Sequence, residues 1–176
     1  MIAVAGINHS SAGFSRFSGF SFAFRAADSR SSLVSGQVWL HTCNRIELYA
    51  DLRLHCKKSA ENYLLGLFGL NEKPAGFFIY LEDEAVLHLL KVVSGLASAV
   101  TGEDQILHQV KKAFQQALEH QTSSPLLNKL FHKAFETGKE VRSVTAINKG
   151  LCSVAAIAAS LADSFAKEQL AEKKPS

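Results

Sequence analysis

The spacing of apolar residues along this chain changes character once, after Leu81, and that change limits the fold more than any other feature. Before it lie short runs of strand length, at Met1–His9, Gln37–Thr42, Ile46–Leu52 and Gly76–Leu81. One helical pattern, Lys57–Phe68, interrupts them and is ended by Gly69 and Pro74. Ser10–Arg30 is rich in Ser, Gly and Phe, which predicts a loop and then a helix before Ser31. After Leu81 the apolar residues recur every three or four positions through Glu84–Val93, Gln105–His120, Pro125–Arg142 and Ser153–Leu170. Val154, Ile157, Leu161 and Phe165 form the stripe of the last. Thr122-Ser123-Ser124-Pro125 marks a helix start, because a Ser or Thr oxygen caps free backbone N–H groups and Pro suits the first turn. The order strand, helix, strand, strand, helix, strand is that of a split βαβ, ferredoxin-like unit. The expected class is therefore α+β, with that unit followed by a helical subdomain.

A length of 176 residues accommodates one domain, or one domain and an extra helix. With 47% hydrophobic and 20% charged residues the composition is that of a globular chain. No basic segment precedes a short apolar run at the N-terminus. The longest nearly uncharged stretch, Leu151–Ala162, is too short to span a bilayer. The expectation is a cytoplasmic protein with no membrane partner. Cys43, Cys56 and Cys152 follow no metal-ligand spacing and read as reduced thiols. A net charge of +3 permits a nucleic-acid partner without requiring one. Lys111, Lys112, Lys129, Lys133, Lys139, Arg142 and Lys149 make either a solvated face or one turned to RNA.

Cys43 is the first candidate for chemistry. It follows a strand, in the tight segment Cys43-Asn44-Arg45, with Glu47 two residues beyond. A thiol near a guanidinium loses its proton more readily, and the thiolate is the nucleophile. A buried thiol in a turn is the plainer alternative, and the local sequence does not separate the two. His88, flanked by Leu87, Leu89 and Leu90, acts as an acid or base only if it faces a pocket. Between Ser94 and Gln105, two glycines, Gly95 and Gly102, and two serines, Ser94 and Ser98, precede a helix. That pattern fits either a capped helix–loop–helix turn or a loop presenting polar groups to a small ligand.

Taken in order, five blocks resemble the glutamyl-tRNA reductase family: Gly6-Ile7-Asn8-His9, Thr42 to Tyr49 (Thr-Cys-Asn-Arg-Ile-Glu-Leu-Tyr), His88 to Leu96, Gly102 to Leu107, and Lys139-Glu140-Val141-Arg142. The resemblance implies a cysteine that takes glutamate from glutamyl-tRNA as a thioester, which NADPH reduces to glutamate-1-semialdehyde for tetrapyrrole synthesis. Carried over by position, Cys43 is the nucleophile and His88 the acid–base or orienting group. Arg45 meets the substrate carboxylate, a task suited to a bidentate guanidinium. Glu47 holds Arg45, and Thr42, Ser98, Glu103 and Gln105 contact the glutamyl group. The chain departs from the family pattern at Ala97, Ala99, Thr101, Asp104 and His108, and at Ser10 to Gly13. No Gly-x-Gly-x-x-Gly occurs, so the resemblance implies NADPH as cofactor without a site for it in this sequence. Residues 1–150 are expected to form the catalytic domain. Residues 151–176 are expected to form a helix and tail leading to an absent NADPH domain, the family's dimerisation domain being absent as well. Expected partners are glutamyl-tRNA, a separate NADPH-binding subunit or the downstream aminomutase. The alternatives are a non-catalytic module binding glutamyl-tRNA or a pathway enzyme, and a generic interaction domain.

Overall fold

The computed structural model describes residues 1–8, 32–147 and 159–163. Four strands, β1 (Ile2–Asn8), β2 (Val34–His41), β3 (Arg45–Leu52) and β4 (Phe77–Leu81), form one sheet in the order β2-β3-β1-β4. Every neighbouring pair is antiparallel. Helix α1 (Lys57–Leu67) joins β3 to β4, and α2 (Asp83–Val93), α3 (Asp104–Glu119) and α4 (Pro125–Val144) follow. The architecture is α+β, as the single change in apolar spacing predicts. The helix expected before Ser31 lies outside the described residues, as do His9, Lys149, Cys152 and most of Ser153–Leu170, of which residues 159–163 are helical.

Both faces of the sheet are covered, and the alternation of β3 distributes its residues between them. Ile46, Leu48, Ala50 and Leu52 join Ala60, Leu64, Leu65 and Phe68 in the core beneath α1. Tyr49 belongs to the opposite core, with Leu89, Val93, Val110, Phe114, Leu127 and Phe131 of α2, α3 and α4. Arg45, Glu47 and Asp51 share that second face by their period of two. Each fully buried Leu or Phe contributes roughly 1.5–3 kcal/mol. Truncating Phe131, which stacks on Phe114 with centroids 5.0 Å apart, should cost about 3–5 kcal/mol.

Two glycines let other backbone come close to the sheet. A Cβ at Gly6 would lie 2.3 Å from the Ile46 carbonyl oxygen and 2.9 Å from Glu47 Cα. Gly6 is thus what leaves room for Glu47, its partner across the strands. Gly36 packs against Ser124, where a Cβ would fall 2.4 Å from the Ser124 nitrogen. β2 begins at Val34, earlier than the expected Gln37, and carries a register shift between Val34 and Gly36. Ser124 caps α4 as its sequence predicts: its Oγ accepts from Leu127 N and donates to Asp51 Oδ2 at 2.8 Å, tying the helix to β3.

No described helix is long and apolar enough to cross a membrane. Among the described residues no group of three or more His, Cys, Asp or Glu could hold a metal ion.

Candidate active site

The turn between β2 and β3 is short because Thr42 closes it twice. Its N–H donates to the Arg45 carbonyl at 2.9 Å. Its Oγ1 accepts from the N–H groups of Asn44 and Arg45, each at 3.1 Å. Cys43 and Asn44 are left as a two-residue tip, and the Cys43 thiol is exposed. The Thr42 hydroxyl, expected to meet a ligand, is therefore engaged in shaping the turn that presents Cys43.

Behind the tip lies a buried polar cluster. Arg45 is 3% exposed and Glu47 is fully buried. Arg45 Nη1 donates to Glu47 Oε1 at 2.9 Å, and Nη2 donates to the Ala97 carbonyl. Tyr49 Oη donates to Glu47 Oε2 at 2.6 Å, and His88 Nε2 lies 3.1 Å from Oε1. Burial alone would raise the Glu47 carboxyl. The hydrogen bond from His88, the Arg45 guanidinium and the Tyr49 hydroxyl outweigh it and hold the carboxyl below its ordinary value. A carboxylate only accepts hydrogen bonds, so Nε2 is the nitrogen of His88 that carries a proton here. Burial and the adjacent Glu47 push the Tyr49 hydroxyl well above its ordinary value.

A small open recess of about 10 Å³, room for about one water, sits between the tip and the loop joining α2 to α3. Thr42, Cys43, Asn44 and Arg45 wall it on one side, and Ser98, Ala99, Glu103, Ile106 and Gln109 on the other. Ser98 Oγ is buried and has no hydrogen-bond partner among the described residues. Five expected site residues thus share one recess: Thr42, Cys43, Arg45, Ser98 and Glu103. Glu47 and His88 stand behind it, where His88 orients a carboxylate and does not line the recess. Gln105 is exposed and does not line it either; Gln109, one turn further along α3, takes that place. Gln109, Asn44 and Tyr49 stand at the site without a role expected from the sequence, although Gln109 follows Gln105 at helical spacing.

A statistical description of the family "Glutamyl-tRNAGlu reductase, N-terminal domain" matches residues 5–145. The chain belongs to this family. It is similar to the glutamyl-tRNA reductase of Synechococcus sp. (strain CC9311), 42% identical over 130 residues covering 70% of this chain and 29% of that protein. The reductase of Rubrobacter xylanophilus is 38% identical over 174 residues, covering 92% of this chain and 40% of that protein. Among solved structures, the glutamyl-tRNA reductase of Methanopyrus kandleri superposes with a TM-score of 0.72 at 32% identity, over 93% of this chain and 39% of that one. The chain therefore spans less than half the length of the relatives it matches. In this family frame, the departure at Ala97 spares the contact to Arg45, because that contact uses the backbone carbonyl and not the side chain.

Proposed function

We propose that this domain takes the glutamyl group of glutamyl-tRNA onto the sulfur of Cys43. The observation that carries the reading is the recess itself: an exposed thiol, a buried guanidinium and an unpartnered buried hydroxyl around one small space. The Cys43 thiolate adds to the ester carbonyl carbon, the bond from that carbon to the terminal ribose oxygen breaks, and the ribose oxygen takes up a proton. A thioester remains on Cys43. A guanidinium has five N–H donors, and the contacts to Glu47 and Ala97 use two of those on Arg45. The others are suited to the substrate's side-chain carboxylate, while Glu47 keeps the group from turning. Ser98 Oγ, Glu103 and Gln109 supply polar contacts. The glutamyl group is larger than the recess, so its entry spreads the tip and the facing loop.

The residues described do not fit NADPH. The sheet is antiparallel, the sequence has no Gly-x-Gly-x-x-Gly, and the recess holds about one water. In this reading the hydride step that yields glutamate-1-semialdehyde belongs to a dinucleotide domain outside this sequence. Residues 1–150 then form the acyl-accepting unit, and residues 151–176 lead towards that domain, in the cytoplasm. The downstream aminomutase is the expected recipient of the aldehyde. The strand order and the crossing of α1 from β3 to β4 support reading the sheet as a ferredoxin-like split βαβ unit.

Incubating the protein with glutamyl-tRNA at neutral pH and analysing it by mass spectrometry tests the proposal. A glutamyl adduct on Cys43 is expected, lost in Cys43→Ser and kept in Cys56→Ser and Cys152→Ser. Equal labelling of all three cysteines would refute a special site. Tight binding without any adduct would identify a non-catalytic binding module.

A further inference from the structure

The block Lys139-Glu140-Val141-Arg142 takes no part in the acyl-transfer reading, yet Arg142 reaches the site's supporting loop. Val93 ends α2, so its carbonyl has no partner within that helix. Arg142 Nη1, from the last turn of α4, donates to that carbonyl at 2.5 Å and to the Gly138 carbonyl at 3.0 Å. A cation is favoured at such a helix end. Nη2 of the same guanidinium donates to the Glu103 carbonyl at 3.3 Å, immediately ahead of α3. Gly138 allows this approach, since a Cβ there would fall 3.0 Å from the Val93 oxygen.

One side chain on α4 thus bonds both ends of the loop 94–103. The loop is also pinched at its neck. Gly102 N donates to the Gly95 carbonyl at 3.1 Å, and both glycines have positive φ, 80° and 82°. What this loop carries is functional: the Ala97 carbonyl that accepts from Arg45, and the Ser98 hydroxyl and Glu103 that line the recess.

We propose that Arg142 is a positioning residue that fixes the loop 94–103 so that Ala97 aims Arg45 and Ser98 stays in the wall facing Cys43. The role rests on the reading of Cys43 as acyl acceptor, but its mechanical part does not. Loss of the guanidinium leaves the Val93 and Glu103 carbonyls without this donor and lets both loop ends drift. A small misplacement of the groups that orient a substrate has a large effect on rate.

Two measurements on the 176-residue chain test it, with Arg142→Ala and Arg142→Lys. The first needs no substrate: amide hydrogen exchange at Gly95, Leu96, Ala97 and Gly102 should speed up in Arg142→Ala, while β1 and β3 exchange as before. The second follows the Cys43 adduct. Its formation from glutamyl-tRNA should slow by about tenfold or more in Arg142→Ala. Alkylation of Cys43 by iodoacetamide should change less than about twofold, since a small reagent needs no aimed guanidinium. Millimolar guanidinium should restore part of the adduct rate in Arg142→Ala, and Arg142→Lys should fall between wild type and Arg142→Ala. Unchanged loop exchange would overturn the proposal, as would a loss of adduct matched by an equal loss of alkylation. If the wild-type chain forms no adduct, the acyl-acceptor reading fails while the exchange experiment still decides whether Arg142 holds the loop.

Discussion

Replacing Glu47 by Gln keeps the shape of a buried side chain and removes its charge. In the wild-type protein the carboxylate is fully buried and receives Arg45, His88 and Tyr49. The amide keeps one oxygen that can accept from Arg45 but carries no charge, so the guanidinium, 3% exposed, loses the carboxylate it is paired with while keeping the Ala97 carbonyl. Breaking a buried pair by removing one partner costs about 3–5 kcal/mol, and the retained carbonyl contact argues for the lower end, about 3 kcal/mol. For a chain of this size that lowers Tm by about 6–12 °C. The loss should depend on pH in a definite sense. Glu47 titrates below its ordinary 4.5 in the folded protein, so its contribution is present above that value and fades as pH falls through the folded pKa. Thermal melts by circular dichroism should show a full gap between wild type and Glu47→Gln at pH 7 that narrows below pH 4.5. Adding Arg45→Met removes the orphaned cation and should recover about 1 kcal/mol relative to Glu47→Gln alone. A gap under about 2 °C at pH 7, or a double variant less stable than the single one, would refute the account of a charge-paired core.

Other changes probe the same framework. Gly6→Ala places a Cβ 2.3 Å from the Ile46 carbonyl, and urea denaturation should show a loss of about 1–3 kcal/mol as β1 and β3 are pushed apart. Because the Tyr49 pKa is raised well above 10, its hydroxyl stabilises the fold below pH 10, and that contribution is lost as pH rises through the folded value. Tyr49→Phe should therefore flatten the alkaline loss of stability, and should leave the phenolate absorbance of the folded protein up to pH 10 unchanged. Ser124→Ala removes the α4 cap and the donor to Asp51, and should cost about 1–2 kcal/mol in chemical denaturation. Arg45→Lys should impair selection of glutamyl- over glutaminyl-tRNA in the adduct assay nearly as much as Arg45→Ala, because an ammonium cannot reproduce the fork.

The elements were legible because their apolar residues repeat at the period each requires. Lys57–Phe68 differs from α1 by one residue at its end, and Gln105–His120 from α3 by one residue at each end. Ser124-Pro125 marked its helix start because a cap is local chemistry. The site was legible in part. Cys43 and Arg45 lie two residues apart around one turn, whereas Ser98 and Glu103 join them only through tertiary packing. The alternation Arg45, Glu47, Tyr49 reads in sequence like the wet face of a strand. Only the covering helices α2 and α4 make it an interior one. Gln105 and Gln109 lie about 40° apart around a helix of 3.6 residues per turn, so periodicity cannot choose between them. The position of α3 against the hairpin decides for Gln109.

The division of β3 between its two faces also guards against misassembly. A slip of one residue against β1 would send Glu47 into the apolar layer under α1, far from its three donors, and would bring Ile46 and Leu48 to the polar side. An unpaired carboxylate in hydrocarbon surroundings is far more costly than a displaced Leu. The charged residues that would handle a substrate therefore double as a key for strand alignment. A chain that has folded out of register has no aimed guanidinium behind its thiol, so under the proposed reading errors in folding and errors in acylation are excluded by one and the same set of contacts.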